Sequence, residues 1–444
     1  KAGQENNSRQ LARQAQMTSI KNDPRADVMR AQERFWSALK DKNRAEFEAV
    51  LSAAFIARSL DGPDQLRGPF IDTLLGFPAK VLSVQGTALR SASGRILAMT
   101  VYAIAMQAVL GLVEPQSSTI AGSAFMVYYD AKTKKVTAYD GRETAPAAAT
   151  NYYLVRQDQG DTTSPTPVPS ARRSGRSIGV PGVMRMLDLA HKEHGRLAWN
   201  GLFDYGIQLS TNGFQIPGRL GAAIASNASS LALDANAMAT YFHADGTPRI
   251  TGETMTNLPY ARTLKALAAQ GADALHTGDI AKAIVAKAGQ TVGDDPAKTP
   301  ITPSLMTLSD LANYKAKKRE AVCTNYRNTY HVCTMSPPSS GGIAIAQSLG
   351  ILSQFNLAQY APSNPANEGG VPSVMGVHLV SEAERLAYAD RDKYVADTDF
   401  VPLPAQGLAS LLSPDYLKQR SSLISLDKSM GTAAPGDFGP VTCA

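Results

Sequence analysis

The chain has 444 residues, of which 44% are hydrophobic and 18% are charged, and its formal net charge is +6. These values are typical of a soluble globular protein with one or two domains. Basic residues form only short clusters at 132–135, 172–176 and 315–319. We interpret these clusters as solvated faces, because a nucleic-acid-binding surface needs a denser patch with aromatic residues between the charges. No run of 18 apolar residues occurs, so we expect no membrane span.

The cysteines and histidines do not indicate a metal site. The three cysteines are Cys323, Cys333 and Cys443, and the six histidines are scattered along the chain. Because thiols and imidazoles do not cluster at ligand spacing, we predict neither a metal nor a cofactor. His191 and His194 lie three residues apart, which favours a solvated helix face.

The first 80 residues differ in character from the rest. Residues 1–22 are polar and lack the apolar core of a signal peptide, so such a peptide was removed or never existed. Over 25–60, apolar residues recur at steps of three and four, which predicts two amphipathic helices broken near residues 41–43. We therefore expect residues 1–80 to form a helical N-terminal extension of unknown role on a main body of residues 81–444.

A predicted helix and two predicted strands lead to Arg142. The apolar stretch 96–113 predicts a buried helix. Residues 125–129 are aromatic or branched and predict a buried strand, and residues 136–139 predict a second strand, followed by a turn signal at Asp140-Gly141. Arg142 therefore lies just past a strand, where a fixed guanidinium can bind a carboxylate through two parallel hydrogen bonds. The alternative for an isolated Arg-Glu dipeptide is a solvated pair.

Five short segments carry a family resemblance. They are residues 113–118 (VEPQSS), 140–146 (DGRETAP), 311–314 (LANY), 337–343 (PPSSGGI) and 397–400 (DTDF). Together they resemble the γ-glutamyltransferase (γ-glutamyltranspeptidase) family, over about residues 85–444. In that family the arginine of the second segment binds the α-carboxylate of the γ-glutamyl substrate, and Arg142 is the residue that matches it here.

The resemblance implies a fold and an activity. The fold is the α+β N-terminal nucleophile hydrolase fold, an αββα four-layer sandwich shared between a large and a small subunit. The activity is acyl transfer, in which γ-glutamyl amides such as glutathione are cleaved and the acyl group passes to water or to an amine. The resemblance also implies a periplasmic or secreted protein.

Family members are precursors that cut themselves in two, and the new N-terminal threonine of the small subunit is the nucleophile. In the family this threonine follows the Asp-x-Asp-Phe segment after a loop-rich stretch, and the present sequence ends in such a stretch. We therefore expect the chain to be the large subunit, with the small catalytic subunit of the same precursor as its partner. No catalytic residue is assigned within residues 1–444. We also expect the large subunit not to fold stably alone, because shared sheets would leave unpaired edges.

Two other functions remain open. A glutaryl or cephalosporin acylase of the same family also takes a substrate with a terminal carboxylate that Arg142 could hold. A non-catalytic binding protein on this scaffold is the other alternative, since residues 99–102 and 119–123 lack glycines that the family usually has there. Glycine permits positive φ and close backbone approach, so the local backbone is expected to differ at these positions.

Ser339 and Ser340 precede a predicted helix at 343–352. A serine there is a good N-cap, and free amides at the helix start could hold an anion, although a plain structural turn is the favoured interpretation. Neither serine is an obvious nucleophile, because no histidine or lysine base lies at a diagnostic spacing. The alternating charges of 382–399 predict ion pairs three and four residues apart along a helix.

Residues 320–335 predict a hairpin that contains Cys323 and Cys333. A three-residue turn centred at Asn328 would place the two cysteines directly opposite each other, whereas a two-residue turn would send them to opposite faces. With the oxidising compartment that the resemblance implies, the first register predicts a Cys323–Cys333 disulfide. Two buried free thiols are the alternative.

Overall fold

The computed structural model describes residues 99–364 and 370–439, together with two short strands, β1 (Ile56–Ala57) and β2 (Gln65–Leu66). The chain divides into two compact units. One contains residues 1–99 and 360–373, and the other contains residues 100–359 and 374–444.

In the first unit, β1 and β2 pair in an antiparallel manner, with Ile56 opposite Leu66. The second of the two helices predicted over 25–60 is therefore wrong at its last residues, because a short apolar run fits a strand as well as a helix end. The remainder of that prediction, and the predicted extension over 1–80 outside these strands, lie outside the described residues.

The second unit contains most of the described helices. The helices are α1 (Met99–Val113), α2 (Val183–His194), α3 (Asp204–Asn212), α4 (Gly218–Ser226), α5 (Ala228–Leu231), α6 (Ala235–Tyr241), α7 (Leu258–Gln270), α8 (Gly278–Ala288), α9 (Leu308–Asn313), α10 (Gly341–Leu352), α11 (Val374–Tyr394), α12 (Leu408–Leu411) and α13 (Pro414–Ser421). Short 3₁₀ helices lie at Ala171–Arg173, Gly175–Ser177, Asn200–Phe203, Gly271–Leu275 and Leu357–Tyr360. Among the residues the structure describes, no helix is both long and apolar enough to cross a bilayer.

A three-stranded antiparallel sheet ends at Arg142. It consists of β3 (Ala124–Asp130), β4 (Lys135–Gly141) and β7 (Lys317–Arg319), in that order. The two strands predicted at 125–129 and 136–139 are confirmed. The turn predicted at Asp140-Gly141 is wrong, because these residues pair with Lys317 and Ala124 and extend β4.

Strand β3 is less buried than its apolar sequence predicts. Most of its side chains are half-buried, and the Tyr129 side chain is 56% exposed. Helix α2 packs against β3 and β4. The approach is close at Gly141, where an added Cβ would lie 2.5 Å from Cβ of Met186. The sheet therefore requires glycine at the residue immediately before Arg142.

Two other strand pairs complete the described sheets. Strand β5 (Phe214–Gln215) pairs with β6 (Thr254–Met255), and β8 (Val322–Tyr326) pairs with β9 (Tyr330–Thr334). Residues 327–329 form the turn between β8 and β9, and Arg327 and Asn328 have φ of 52° and 53°.

This three-residue turn places Cys323 opposite Cys333, and the two residues form a disulfide. The predicted bridge is confirmed.

Buried apolar side chains form several clusters. The buried helix predicted at 96–113 is confirmed over α1, where Ile104, Ala108 and Leu112 are at most 2% exposed. Around Leu112 lies a cluster of Phe214, Ile216, Leu220, Ile224 and Met255. A second cluster of Val180, Ala281, Met306, Leu311 and Tyr314 lies beside the loop that carries Arg142. A third contains Val322, Ile343, Ala346 and Leu411 under the β8–β9 hairpin.

Apolar periodicity over 254–287 predicts helix with breaks at Gly271 and Gly278, and both breaks are confirmed. These glycines separate α7 from α8 and have φ of 75° and 69°, which favours glycine over other residues.

The ion pairs predicted along α11 are only partly correct. Glu382 and Arg385 form the expected pair three residues apart, at 3.3 Å. Asp390 instead is 1% exposed and contacts Arg420 of α13 at 3.1 Å. Its carboxylate joins two helices rather than two turns of one helix.

The two histidines of α2 do not form a solvated face. The ring of His194 stacks on Tyr128 with centroids 4.1 Å apart, and its Nε2 lies 2.7 Å from the Tyr139 hydroxyl. His191 packs edge-on against Trp199. The prediction of a solvated face was wrong. A spacing of three residues shows that two side chains share one face of a helix, but it does not show that a sheet packs against that face.

Candidate functional site

Arg142 is held through its main chain, while its side chain is about half exposed, at 48%. Its backbone N–H donates to Oδ1 of Asp140 at 2.9 Å. Its carbonyl oxygen accepts a hydrogen bond from the Tyr314 hydroxyl at 2.8 Å. Two residues further on, Thr144 forms an antiparallel bridge with Val180. The guanidinium is therefore carried by a fixed loop at the end of β4.

The guanidinium itself has unused donors. Its Nε lies 3.3 Å from Oε1 of Glu143, and its Cζ lies 5.7 Å from the centre of the Phe125 ring. Within the described part of the chain, its two terminal nitrogens have no hydrogen-bond partner. A planar guanidinium with both terminal nitrogens available suits two parallel hydrogen bonds to one carboxylate.

The Tyr314 hydroxyl is protonated and donates a hydrogen bond to the Arg142 loop. Burial, followed by the charges of Asp140 and Glu143, raises the pKa of the Tyr314 hydroxyl well above its usual value. The hydroxyl therefore keeps its proton at neutral pH and continues to donate to the Arg142 carbonyl oxygen.

A second arginine, Arg319 of β7, lies behind this loop. Its Nε donates to Oδ2 of Asp140 at 2.6 Å. Its two terminal nitrogens donate to the two carboxylate oxygens of Asp399, at 3.1 and 2.6 Å. Lys317 also donates to Asp399, at 2.5 Å. The hydrogen bonds from Arg319 and then Lys317 hold the pKa of Asp399 at about 2, so this carboxylate is charged at neutral pH.

These contacts bring four of the five sequence segments together. A crevice of about 30 Å³, the space of roughly one water, lies at their junction. Its lining residues are Asp140, Arg142, Glu143, Thr144, Tyr314, Lys315, Lys317, Arg319, Pro338, Asp397 and Asp399. The 140–146, 311–314, 337–343 and 397–400 segments thus meet around the base of Arg142, although they are far apart in sequence.

Sequence reasoning missed Arg319 as a residue of this site. The 315–319 cluster was interpreted as a solvated face, but the Arg319 side chain is only 15% exposed. The available signal was that the cations at 315, 317 and 319 share one face of an extended strand, with Lys318 on the other face.

Ser340 is not an N-cap in the predicted sense. Helix α10 begins at Gly341, and Ser340 occupies the preceding position, but its hydroxyl accepts no hydrogen bond from the helix amides. Its hydroxyl instead accepts from Nε of Arg391 at 3.0 Å. Ser340 therefore connects the start of α10 to α11.

One group of potential metal ligands occurs in the described residues, at Cys323, His331 and Cys333. The two sulfur atoms are joined in a disulfide, so neither can act as a thiolate ligand. This group therefore does not constitute a metal site.

Comparisons with known proteins agree with the motif positions. The Gamma-glutamyltranspeptidase family model matches residues 102–440. The glutathione hydrolase proenzyme of Bacillus subtilis (strain 168) is 35% identical over 337 residues, which are 76% of this chain and 52% of that protein. The chain thus spans about half the length of the curated relatives it matches.

Solved structures support the fold. The γ-glutamyltranspeptidase of Helicobacter pylori superposes with a TM-score of 0.65 at 26% identity, covering 75% of this chain and 87% of that one. A cephalosporin acylase from Bacillus halodurans gives a TM-score of 0.57 at 22% identity, covering 73% and 55%, a likeness of fold alone. The predicted α+β N-terminal nucleophile hydrolase fold is confirmed. On the match over 102–440 and the identity to the Bacillus subtilis relative, the chain belongs to the γ-glutamyltranspeptidase family.

Proposed function

We propose that this chain is the substrate-binding large subunit of an enzyme that cleaves γ-glutamyl amides, such as glutathione, and transfers the acyl group to water or an amine. The observation that carries the proposal is the Arg142 guanidinium, half exposed on a fixed loop, whose two terminal nitrogens have no hydrogen-bond partner among the described residues. Membership of the γ-glutamyltranspeptidase family supports the reaction class.

Arg142 would contribute by positioning the substrate. Two parallel hydrogen bonds from its terminal nitrogens would fix the α-carboxylate, and the glutamyl side chain would then hold the γ-carbonyl at a set distance from that anchor. The main-chain bonds to Asp140 and Tyr314 keep the anchor in place. This arrangement reduces the entropy lost when the reacting groups meet.

The nucleophile would be the N-terminal threonine of a small subunit cut from the same precursor. Its hydroxyl oxygen would attack the γ-carbonyl carbon, the carbon–nitrogen bond would break, and the departing amine would take up a proton. Water or an acceptor amine would then release the acyl group from the threonine ester. The word proenzyme in the name of the Bacillus subtilis relative supports a processed precursor.

A periplasmic or secreted location is part of the proposal. The Cys323–Cys333 disulfide supports it, because structural disulfides persist mainly in oxidising compartments.

The test uses the whole processed protein and two substrates. Arg142→Ala should raise KM for γ-glutamyl-p-nitroanilide at least about tenfold, because hydrogen bonds to a charged group are lost. Arg142→Lys should not restore KM, since an ammonium lacks the planar fork. With 4-aminobutyryl-p-nitroanilide, which lacks the α-carboxylate, neither change should alter KM. Arg262→Ala, on the exposed surface of α7, is the control. An unchanged KM for the glutamyl substrate in Arg142→Ala would refute the proposal.

A further inference from the structure

Arg319 joins two carboxylates that belong to different parts of the chain. Asp140 lies 179 residues before it and Asp399 lies 80 residues after it. All three guanidinium nitrogens are used, Nε on Asp140 and both terminal nitrogens on Asp399. The side chains of Arg319 and Asp140 are only 15% and 7% exposed. Such short, enclosed charge-assisted bonds fix the orientation of both carboxylates.

Asp140 has a second partner, and that partner is Arg142. Its Oδ2 accepts from Arg319, and its Oδ1 accepts from the Arg142 backbone N–H. The rotation of the Asp140 carboxylate thus determines where the Arg142 main chain is held. The position of Arg319 sets that rotation.

Charge gives Arg319 a second effect on Arg142. The Asp140 carboxylate is enclosed and lies two residues from an arginine whose terminal nitrogens are available. Without Arg319 this carboxylate would lose its charge partner, and Arg142 and Lys317, which line the same crevice, would be the cations left to pair with it. A carboxylate of the protein on the Arg142 guanidinium would compete with a carboxylate of the substrate.

We propose that Arg319 is a positioning residue for substrate binding, which holds Asp140 so that it supports the Arg142 main chain without pairing with the Arg142 guanidinium. This inference rests on the proposed function, in which Arg142 binds the substrate carboxylate. Lys317 does not take the place of Arg319 in this structure, because its ammonium donates to Asp399 and not to Asp140, and an ammonium offers no planar fork.

The experiment measures kcat and KM of the processed enzyme. Arg319→Ala and Arg319→Lys should raise KM for γ-glutamyl-p-nitroanilide about tenfold, with kcat changed by less than about threefold. For 4-aminobutyryl-p-nitroanilide KM should not change. The lysine variant keeps a positive charge in the enclosed site, so it provides the kinetic test if the alanine variant does not fold.

Rescue separates positioning from a general structural role. Asp140→Asn keeps an oxygen that can accept the Arg142 N–H but removes the competing charge. Added to Arg319→Ala, it should return KM to within about threefold of the parent value. Arg420→Lys alters another buried Arg–Asp pair away from Arg142 and should leave KM unchanged.

The outcomes distinguish this inference from the proposed function. If Arg142→Ala raises KM but the Arg319 variants do not, the role of Arg319 is refuted while the proposed function stands. Equal losses for both substrates, or no rescue by Asp140→Asn, would also refute it. If Arg142→Ala itself leaves KM unchanged, the proposed function is refuted, and the role of Arg319, which rests on it, is refuted with it.

Discussion

The hydroxyl of Tyr314 donates a 2.8 Å hydrogen bond to the backbone carbonyl oxygen of Arg142, 172 residues earlier in the chain. The ring of Tyr314 is part of a buried cluster, with 7% of the residue exposed. The packing of that cluster thus determines the position of the Arg142 main chain.

Tyr314→Phe should separate the hydrogen bond from the packing. It removes only the hydroxyl, so the free energy of unfolding should fall by about 1 kcal/mol and KM should rise by a few fold. Urea denaturation and steady-state kinetics measure the two effects. Tyr260→Phe is the matched control, because the Tyr260 hydroxyl donates to the carbonyl oxygen of Ala108 at 3.0 Å. Tyr260→Phe should lower the free energy of unfolding by a similar amount without changing KM. A rise in KM for Tyr260→Phe as large as that for Tyr314→Phe would contradict the prediction.

Asp399 should make stability depend on pH in the acid range. Its pKa is about 2 in the folded chain, against its usual 3.8, so its contribution is present above about pH 4 and is lost as pH falls towards 2. Asp399→Asn should therefore cost about 2 kcal/mol at pH 7 and about half as much at pH 3. Urea denaturation of both proteins at several pH values measures this difference.

The control for the pH experiment is Asp279→Asn, because the Asp279 side chain is 96% exposed. Its stability should follow that of the parent at every pH. A difference between Asp399→Asn and the parent that stays constant from pH 7 to pH 3 would argue against the ion pair as the source.

Gly141→Ala should disturb the end of β4. The new Cβ would lie 2.5 Å from Cβ of Met186, so strand and helix must move apart, at a cost of about 1–3 kcal/mol. Because Arg142 is the next residue, KM should rise as well. Gly218→Ala is the control, since its Cβ would meet nothing within 4 Å and stability should change little. Similar melting temperatures for the two variants would contradict the prediction, because they would show that the contact between position 141 and Met186 is relieved at no cost in stability.

The disulfide can be tested by peptide mapping without reduction. A linked peptide pair containing Cys323 and Cys333 is expected, with Cys443 recovered as an alkylated thiol. Replacing both bridged cysteines by alanine should lower the free energy of unfolding by about 2–3 kcal/mol at most, because the bridge closes a short loop. Alkylation of all three cysteines in the unreduced, unfolded chain would rule out the bridge.

The sequence predicted local structure better than long-range pairing. Aromatic and branched residues located β3 and β4, and Gly271 and Gly278 located the ends of two helices, because these signals lie within a few residues of what they determine. The turn predicted at Asp140-Gly141 failed since its pairing with Lys317 is remote in sequence. The partners of Asp390 and Arg319 were missed for the same reason.

The site residue was identified through a motif rather than through physics. Arg142 followed by Glu143 could equally be a solvated pair when taken alone, and only the surrounding segments indicated a substrate ligand. The structure adds the hydrogen bonds of its main chain and the available terminal nitrogens of its side chain. The role in substrate binding stays a prediction that the two-substrate experiment tests.

The paired contacts of Asp140 and Asp399 with Arg319 have a consequence for how the site arises during folding. The Arg142 loop is completed by Tyr314, 172 positions after Arg142, and by Arg319, 179 positions after Asp140. Asp399 follows Arg319 by another 80 positions. Contacts of such separation close large loops and tend to form slowly. A nascent or proteolysed chain that contains the DGRETAP segment but lacks Tyr314 and Arg319 would thus carry the arginine without these hydrogen bonds. If Arg142 binds the substrate carboxylate as proposed, affinity of the chain for a carboxylate would indicate that this region has been synthesised and folded.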